Sequence, residues 1–125
     1  MANPNVTRDQ RWAIYAYEEV ARVRKESWRE YRTVVNDLSA NILRNGLSSA
    51  IAALERRKSS ETSISALLLT HLSKAEISGL GAVSATELPA RVRQLDVDDY
   101  IFATRETLRL SAWLKRASQA TFGDT

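Results

Sequence analysis

Cysteine is absent from this 125-residue chain, and its absence excludes disulfides, thiolate metal sites and cysteine nucleophiles. Glycine and proline are scarce, with four and two residues respectively. An all-β fold of this length would need many turns and normally uses more of both residues to build them. The hydrophobic fraction of 44% and the charged fraction of 26% are ordinary for a soluble globular domain. The sequence therefore predicts an all-α protein with one helical domain over residues 1–125, of which 1–6 and 121–125 are expected to be frayed.

Long apolar runs are missing as well. The longest, from Trp12 to Tyr17, is far shorter than the ~20 residues that a membrane-spanning helix needs. Residues 1–5 lack the basic and then apolar pattern of a signal peptide. The sequence therefore predicts a cytoplasmic protein without a membrane partner.

Hydrophobic periodicity predicts a compact bundle of five to six helices, and the first third of the chain forms one or two of them. Thr7 and Gln10 have the spacing of a capping box, which indicates a helix start. Ser27 and Glu30 repeat the signature, so residues 8–44 are either one long helix or two successive helices.

Turn and capping residues divide the rest of the chain. Gly46 is expected to end the preceding helix in the left-handed cap position. A short third helix follows, and a fourth is expected to begin at Thr62 or Ser63 and to end at the glycines of 79–81. A capping box over 84–87 predicts a fifth helix to about Gln94, and three aspartates then begin a last helix that runs to about Ala120.

No residue pattern predicts a reactive centre, a metal or a cofactor. His71 is the only histidine, and its apolar helix face indicates a partly buried structural residue rather than a base or ligand. Asp96, Asp98 and Asp99 loosely resemble a calcium loop, but the bend glycine is absent and Thr107 occupies the closing position. Helix capping explains these carboxylates more simply. The three tryptophans, Trp12, Trp28 and Trp113, lie in apolar periodic patterns and are expected to pack rather than to stack on bases.

Basic side chains form the one group with a candidate binding role. The net charge of +3 permits contact with nucleic acid without requiring it. Side chains that could bind a phosphodiester backbone fall in three clusters: Arg22, Lys25, Arg29 and Arg32; Arg56, Arg57 and Lys58; and Arg105, Arg109, Lys115 and Arg116. The first cluster shares one helical face only if the chain stays helical through Ser27. A solvated helix face that pairs with nearby glutamates is the alternative interpretation.

Three stretches of the chain together resemble a known protein family. They are Gln10–Tyr17, Ile42–Ala50 and Tyr100–Arg116, which span the chain from about residue 8 to residue 120. The Asn-Gly-Leu step at 45–47 and the terminal Trp-Leu-Lys-Arg at 113–116 make the match specific. The sequence is similar to the small subunits of type III-B, Cmr-type CRISPR RNA-guided effector complexes.

The resemblance implies an architectural role in antiviral defence. It implies a helical, non-catalytic subunit that stacks head to tail with copies of itself beside a filament of larger backbone subunits. Its partners would be the other Cmr-type subunits, guide RNA and target RNA, while nuclease and cyclase activities belong to other subunits. Head-to-tail stacking joins two different surfaces, and Asp96, Asp98 and Asp99 are the predicted subunit interface, opposite a basic stripe.

Other functions explain the sequence less well. The main alternative is a helical adaptor that binds another protein through an apolar groove and has no RNA affinity. A DNA-binding helix-turn-helix would place its turn at Asn45-Gly46, but the next helix has no Arg, Asn or Gln cluster to read base edges. An enzyme is the least favoured, and a nuclease assay with divalent metal would test it.

Overall fold

The computed structural model describes residues 5–60 and 62–123. Over these ranges the chain forms six α-helices and one short 3₁₀ helix, with no strand. The helices are α1 (Arg8–Val20), the 3₁₀ helix (Lys25–Ser27), α2 (Trp28–Asn45), α3 (Leu47–Arg57), α4 (Ile64–Ser73), α5 (Leu88–Gln94) and α6 (Val97–Phe122). The prediction of an all-α bundle of five to six helices is confirmed.

The first helix begins at the predicted cap. The Thr7 hydroxyl accepts a hydrogen bond from the Gln10 backbone at 3.0 Å, and the Gln10 side chain accepts one from the Thr7 backbone at 2.7 Å. The helix ends at Val20, and Arg24 is extended, with φ −64° and ψ 141°. Residues 8–44 therefore form two helices rather than one.

Tertiary contacts of the connecting turn explain this break. Val23 is buried, and its carbonyl accepts a hydrogen bond from the Trp28 indole at 2.9 Å. The Trp28 ring stacks on Phe122, with 4.8 Å between the ring centroids. A helix continuing through this segment could not make these contacts. Ser27 precedes α2 as expected, but its side chain makes no capping hydrogen bond, so the second capping box does not form.

Gly46 joins α2 to α3 and lies next to Tyr100 of α6. Its φ of 90° is favoured only by glycine, but its ψ of 166° lies outside the left-handed helical region that the sequence predicts. A β-carbon here would lie 3.4 Å from the Tyr100 hydroxyl. That hydroxyl accepts a hydrogen bond from the Ser48 backbone at 2.9 Å. The start of α3, directly after the end of α2, is therefore anchored near the start of α6.

Helix α4 is buried on nearly all sides and crosses the centre of the bundle. It begins after Ser63, as predicted, but ends at Ser73, well before the glycines of 79–81. The expected end was wrong because side chains from other helices bind the backbone that follows. The Trp12 indole donates to the Ala75 carbonyl at 2.8 Å, and the Arg8 guanidinium donates to the Glu76 carbonyl at 2.9 Å.

The capping box at 84–87 forms, with the Glu87 backbone donating to the Ser84 hydroxyl at 3.2 Å, but α5 begins only at Leu88 after a turn. The last helix begins directly after its predicted cap. Asp96 accepts a hydrogen bond from the Asp99 backbone at 2.9 Å and caps α6. This helix continues two residues beyond Ala120, to Phe122, whose buried ring holds the end in place rather than frayed. Residues 1–4 and 124–125 of the predicted frayed ends lie outside the described residues.

The long helix α6 packs on both α1 and α2. Gly46, which caps the end of α2, lies next to Tyr100 near the start of α6, and Trp28 at the start of α2 stacks on Phe122 at the end of α6, so these two helices are antiparallel. Across the described ranges, no helix combines the length and the apolar character needed to cross a membrane.

Candidate nucleic-acid interface

Three arginines lie on one continuous outward face of α6. Arg105, Arg109 and Arg116 are all exposed and are spaced by four and seven residues. These spacings place side chains on the same side of an α-helix, and at 1.5 Å per residue the three span about 16 Å. The opposite side of the helix packs on the core through Ala103, Thr107, Leu110, Ser111, Leu114, Ala117, Ser118 and Phe122. We call Arg105, Arg109 and Arg116 the α6 basic face.

Neighbouring side chains orient two of these arginines. The Arg109 guanidinium lies 3.7 Å from the Asp9 carboxylate, which also accepts a hydrogen bond from the Trp113 indole at 3.0 Å. The Arg116 guanidinium lies 4.9 Å from the centroid of the Trp113 ring. Lys115, seven residues before Phe122, lies instead on the edge of α6 next to α2. Three members of the predicted last-helix cluster therefore lie on one face of α6, and Lys115 lies outside that face.

The first basic cluster does not share a single helical face. Arg22 lies beyond the end of α1 and pairs with Glu19 at 3.3 Å. Lys25 lies in the 3₁₀ helix, while Arg29 and Arg32 belong to α2. The condition of a continuous helix is not met, because the chain turns at 21–24, where Val23 is buried. Arg32 donates to the Gly123 carbonyl at 2.9 Å and so faces the end of α6.

The second basic cluster lies at the end of α3, against α2. Arg56 and Arg57 are the last two residues of the helix, and Lys58 follows as its cap. Arg57 bonds to Asp37 of α2 at 2.8 Å, an exposed ion pair within the chain. One of the three side chains therefore links two helices.

The predicted interface carboxylates lie at the start of α6. Asp96 caps the helix, while Asp98 and Asp99 occupy its first turn. All three are exposed. Negative charge is stabilised here by the helix dipole. Their local role is therefore clear, and it leaves Asp98 and Asp99 accessible to a partner.

His71 is a buried structural residue. Its Nδ1 lies 2.7 Å from the Tyr31 hydroxyl, and its Nε2 lies 3.8 Å from the Glu19 carboxylate. Burial lowers the pKa of His71 to about 4, with a smaller contribution from the nearby positive charge of Lys74. The imidazole is therefore neutral near pH 7. In the described ranges, no group of three or more histidine or carboxylate side chains could hold a metal ion.

The tryptophans pack within the chain, as the sequence predicts. Trp12 is buried, and Trp28 and Trp113 are half-buried. Each indole N–H donates to an acceptor inside the protein, at Ala75, Val23 and Asp9 respectively.

An open groove that no sequence pattern indicated lies between α1 and the end of α4. Its volume is about 690 Å³, and its lining includes Arg8, Arg11 and Lys74 as well as Glu18 and Glu76. Arg8 is already paired with Glu106 at 3.2 Å. Mixed charge makes this groove a weaker phosphate site than the α6 basic face. Sequence reasoning missed it because its two walls are far apart along the chain.

Comparisons with known proteins agree across almost the whole chain. Residues 8–121 match the model of a family described as CRISPR-associated protein (Cas_Cmr5). A Thermus thermophilus protein, CRISPR system Cmr subunit Cmr5, is 34% identical over 116 residues, which cover 91% of this chain and 95% of that protein. The crystal structure of a CRISPR-associated Cmr5 family protein from Thermus thermophilus is similar, with a TM-score of 0.78 and 32% identity, covering 93% of this chain and 98% of that one.

Proposed function

The chain belongs to the Cmr5 family of CRISPR-associated proteins, and from this premise we propose that it is an architectural subunit of a type III-B Cmr effector complex. In this role it stacks with copies of itself and contacts RNA through the α6 basic face. It contributes no reactive centre. The RNA contact is supported by one observation: a continuous arginine face on α6, whose opposite side packs against the core.

The interior of the bundle supports a role without catalysis. The groups with the largest pKa changes are His71, Tyr15 and Tyr31. Burial raises the pKa of both tyrosine hydroxyls far above the ordinary value. Each bonds to His71, one to its carbonyl at 2.7 Å and the other to its ring at 2.7 Å. These bonds hold α1, α2 and α4 together, so the altered pKa values have a packing explanation.

The α6 basic face suits RNA recognised by its backbone. An arginine guanidinium is planar, permanently charged and able to donate two parallel hydrogen bonds to a phosphate. Contacts of this kind carry no sequence information. In RNA-guided complexes, base pairing with the guide reads the sequence and the protein recognises backbone and shape. Three aligned arginines can therefore bind an RNA backbone, and this role needs no side chain that reads a base.

The broken geometry of the first cluster makes it the weaker RNA surface. Arg22 lies in the turn after α1, Lys25 in the 3₁₀ helix and Arg29 in α2, so the three share no helix. Arg22 is also paired with Glu19. We therefore assign the RNA contact to α6 and retain residues 22–32 for stacking. Over that segment five basic and two acidic side chains leave a surplus of three positive charges, which complements the three aspartates of 96–99.

The RNA contact is tested by reversing the α6 basic face. In the triple variant Arg105→Glu, Arg109→Glu and Arg116→Glu, target RNA should bind the assembled complex more weakly. The slope of log affinity against log salt should become shallower by roughly 0.7 for each phosphate that the variant no longer binds. Binding titrations at several salt concentrations give both values.

A matched control carries the same change in charge elsewhere. Arg44, Arg91 and Arg93 are exposed on α2 and α5, and their triple change to Glu should leave the salt slope near that of the unmodified complex. Equal losses of RNA affinity in both triple variants would show that net charge alone explains the effect. An unchanged slope in the α6 variant would reject the α6 basic face as the contact.

An adaptor that binds protein without RNA remains the second candidate. The observation in its favour is a set of exposed apolar side chains at the start of α6, including Val97, Ile101 and Phe102. An adaptor without RNA affinity requires that charge reversal on α6 leaves RNA binding unchanged. The same titrations therefore distinguish the adaptor from the RNA-contacting subunit.

A further inference from the structure

Phe102 presents an aromatic ring to solvent beside the α6 basic face. The residue is 52% exposed, and within Val97–Phe122 it is the only aromatic residue that is exposed rather than buried or half-buried. A phenylalanine ring has no polar atom, so its exposure to water has a cost that a contact would remove. Its position on a helix with three exposed arginines limits what that contact can be.

Helical spacing places Phe102 in line with two of the arginines. Residues seven apart face the same side of an α-helix to within about 20°, so Phe102, Arg109 and Arg116 follow one another along α6. Successive members of this row are about 10 Å apart along the helix axis. Arg105 lies between Phe102 and Arg109 and about 60° to one side. The ring therefore lies at the N-terminal end of the α6 basic face.

Trp113, the other aromatic residue beside this face, is already engaged within the chain. The Arg116 guanidinium lies 4.9 Å from the centroid of its ring, and its indole donates a hydrogen bond to Asp9 at 3.0 Å. Trp113 therefore orients a charged side chain. Phe102 has the larger exposure and can receive a partner on its ring.

Two carboxylates near Phe102 determine the direction in which a bound RNA strand can extend. Asp98 lies one turn before Phe102 and is exposed, so it repels phosphates on that side. Glu106 lies one turn after Phe102 but is paired with Arg8 at 3.2 Å. Unpaired acidic charge therefore ends before the ring, and the exposed arginines begin at Arg105. A strand that reaches Phe102 must run from there along the α6 basic face.

An exposed ring beside a row of cations is typical of surfaces that bind single-stranded nucleic acid. The cations hold the phosphates, while the ring stacks on a base. A base inside an A-form duplex is paired and stacked between its neighbours, and proteins contact such a duplex mainly through phosphates and 2′-hydroxyl groups. Every base has a flat π face, so stacking does not select a sequence. The ring therefore requires an unpaired base of any identity.

We propose that an unpaired nucleotide of the bound RNA stacks its base on Phe102 while neighbouring phosphates bind the α6 basic face. This inference rests on the proposed RNA contact and names the form of RNA that the contact recognises. Arginines alone would hold paired and unpaired RNA by the same phosphates. Phe102 adds a preference for RNA with an unpaired base.

The direct test measures the environment of the base itself. 2-Aminopurine is a fluorescent analogue of adenine whose emission falls when it stacks. It is placed at one position at a time along the target RNA, and each RNA is bound by the assembled complex with its guide RNA. We expect an unpaired position at which emission is severalfold lower with the unmodified chain than with Phe102→Leu. The absence of any such position would overturn the inference.

Further substitutions at Phe102 separate base stacking from apolar contact. Leucine keeps an apolar side chain but lacks a flat ring, whereas Phe102→Tyr and Phe102→Trp keep a ring and should keep the low emission. A target can be shortened until guide pairing no longer dominates its affinity. Phe102→Leu should then weaken RNA binding about fivefold or more, as expected for the loss of one base–aromatic contact. Equal behaviour of the leucine and tyrosine variants would contradict a stacked base and favour a protein contact.

Ile101 provides a matched control. It is 48% exposed, close to the value for Phe102, but lies about 100° around the helix from it. Ile101→Ala should leave both the emission and the RNA affinity unchanged. Equal losses at both positions would show a general effect of exposed apolar surface and would contradict the inference. Neither side chain is buried, so the helical circular dichroism of the free chain should not change in either variant.

The results distinguish this inference from the RNA contact on which it rests. Reversal of the α6 basic face may flatten the salt dependence while Phe102→Leu changes no 2-aminopurine position. The base contact would then be rejected, and the phosphate contact would stand. If the arginine reversal also leaves RNA binding unchanged, the proposed RNA contact on α6 is itself rejected.

Discussion

The buried junction of α1, α2 and α4 holds its polar and aromatic side chains away from solvent, whereas the α6 basic face keeps its arginine side chains exposed. At the junction, Tyr31 and Glu19 lie next to the two ring nitrogens of His71, and burial keeps the imidazole neutral near pH 7. On α6, Asp9 and Trp113 fix the arginines in direction while their guanidinium groups stay exposed. The first region stabilises the fold, and the second leaves charge available for a partner.

The largest expected effect comes from removing the ring at the centre of the junction. Tyr31 is fully buried, and its ring packs edge-on against both His71 and Phe122. Tyr31→Ala should lower the free energy of unfolding by about 3–5 kcal/mol, as for other buried aromatic residues. Urea denaturation measures the change. The matched variant Tyr17→Ala, at an exposed site, should cost about 0.5 kcal/mol or less. Equal losses at both sites would contradict the division between the regions.

Acid should affect the junction next most strongly. The pKa of His71 is about 6.5 in the unfolded chain and is lowered to about 4 in the folded one, so the unfolded chain binds more protons between these values. The stabilisation is complete above about pH 6.5 and is lost as the pH falls toward 4. At about 1.4 kcal/mol per pKa unit, the difference between 6.5 and about 4 corresponds to a total loss on the order of 3–4 kcal/mol.

A variant that cannot titrate isolates this contribution. His71→Gln should remove the part of the acid destabilisation that depends on the imidazole, whatever its effect at neutral pH. Urea denaturation of both proteins at several values between about pH 4.5 and 7.5, which bracket most of the titration, gives the comparison. Parallel pH dependences would show that His71 titrates like an exposed histidine.

The smallest expected effect is on stability at the α6 basic face. Arg105→Gln with Arg109→Gln removes two exposed charges and one exposed ion pair with Asp9. Such changes usually alter the free energy of unfolding by about 0.5–1 kcal/mol or less. The thermal midpoint should therefore hardly move, although RNA affinity should fall. A large loss of stability would mean that these arginines serve the fold rather than a partner.

Local patterns predicted the ends of several helices well. The capping box at Thr7, the stop at Gly46, the cap at Asp96 and the apolar stripes of α2 and α6 all depend on neighbours within one or two turns. The breaks that the sequence misplaced depend on distant residues. The end of α4 is fixed partly by Trp12, and the turn at 21–24 is fixed through Trp28 by Phe122.

The same limit applies to the candidate site. Residue spacing grouped Arg105, Arg109, Lys115 and Arg116 on one uninterrupted helix, but it did not separate Lys115 from the three arginines. It could not show that Arg22 lies in a turn while Arg29 lies in α2.

Site-specific photocrosslinking measures most directly whether α6 contacts RNA. Ala112 is exposed between Arg109 and Arg116, and Ala21 is exposed beside the rival cluster, so a photoreactive residue at either position replaces a small surface side chain. In the assembled complex with guide and target RNA, we expect RNA crosslinks from position 112 and only protein crosslinks from position 21. RNA crosslinks from position 21, with none from position 112, would contradict an RNA contact on α6.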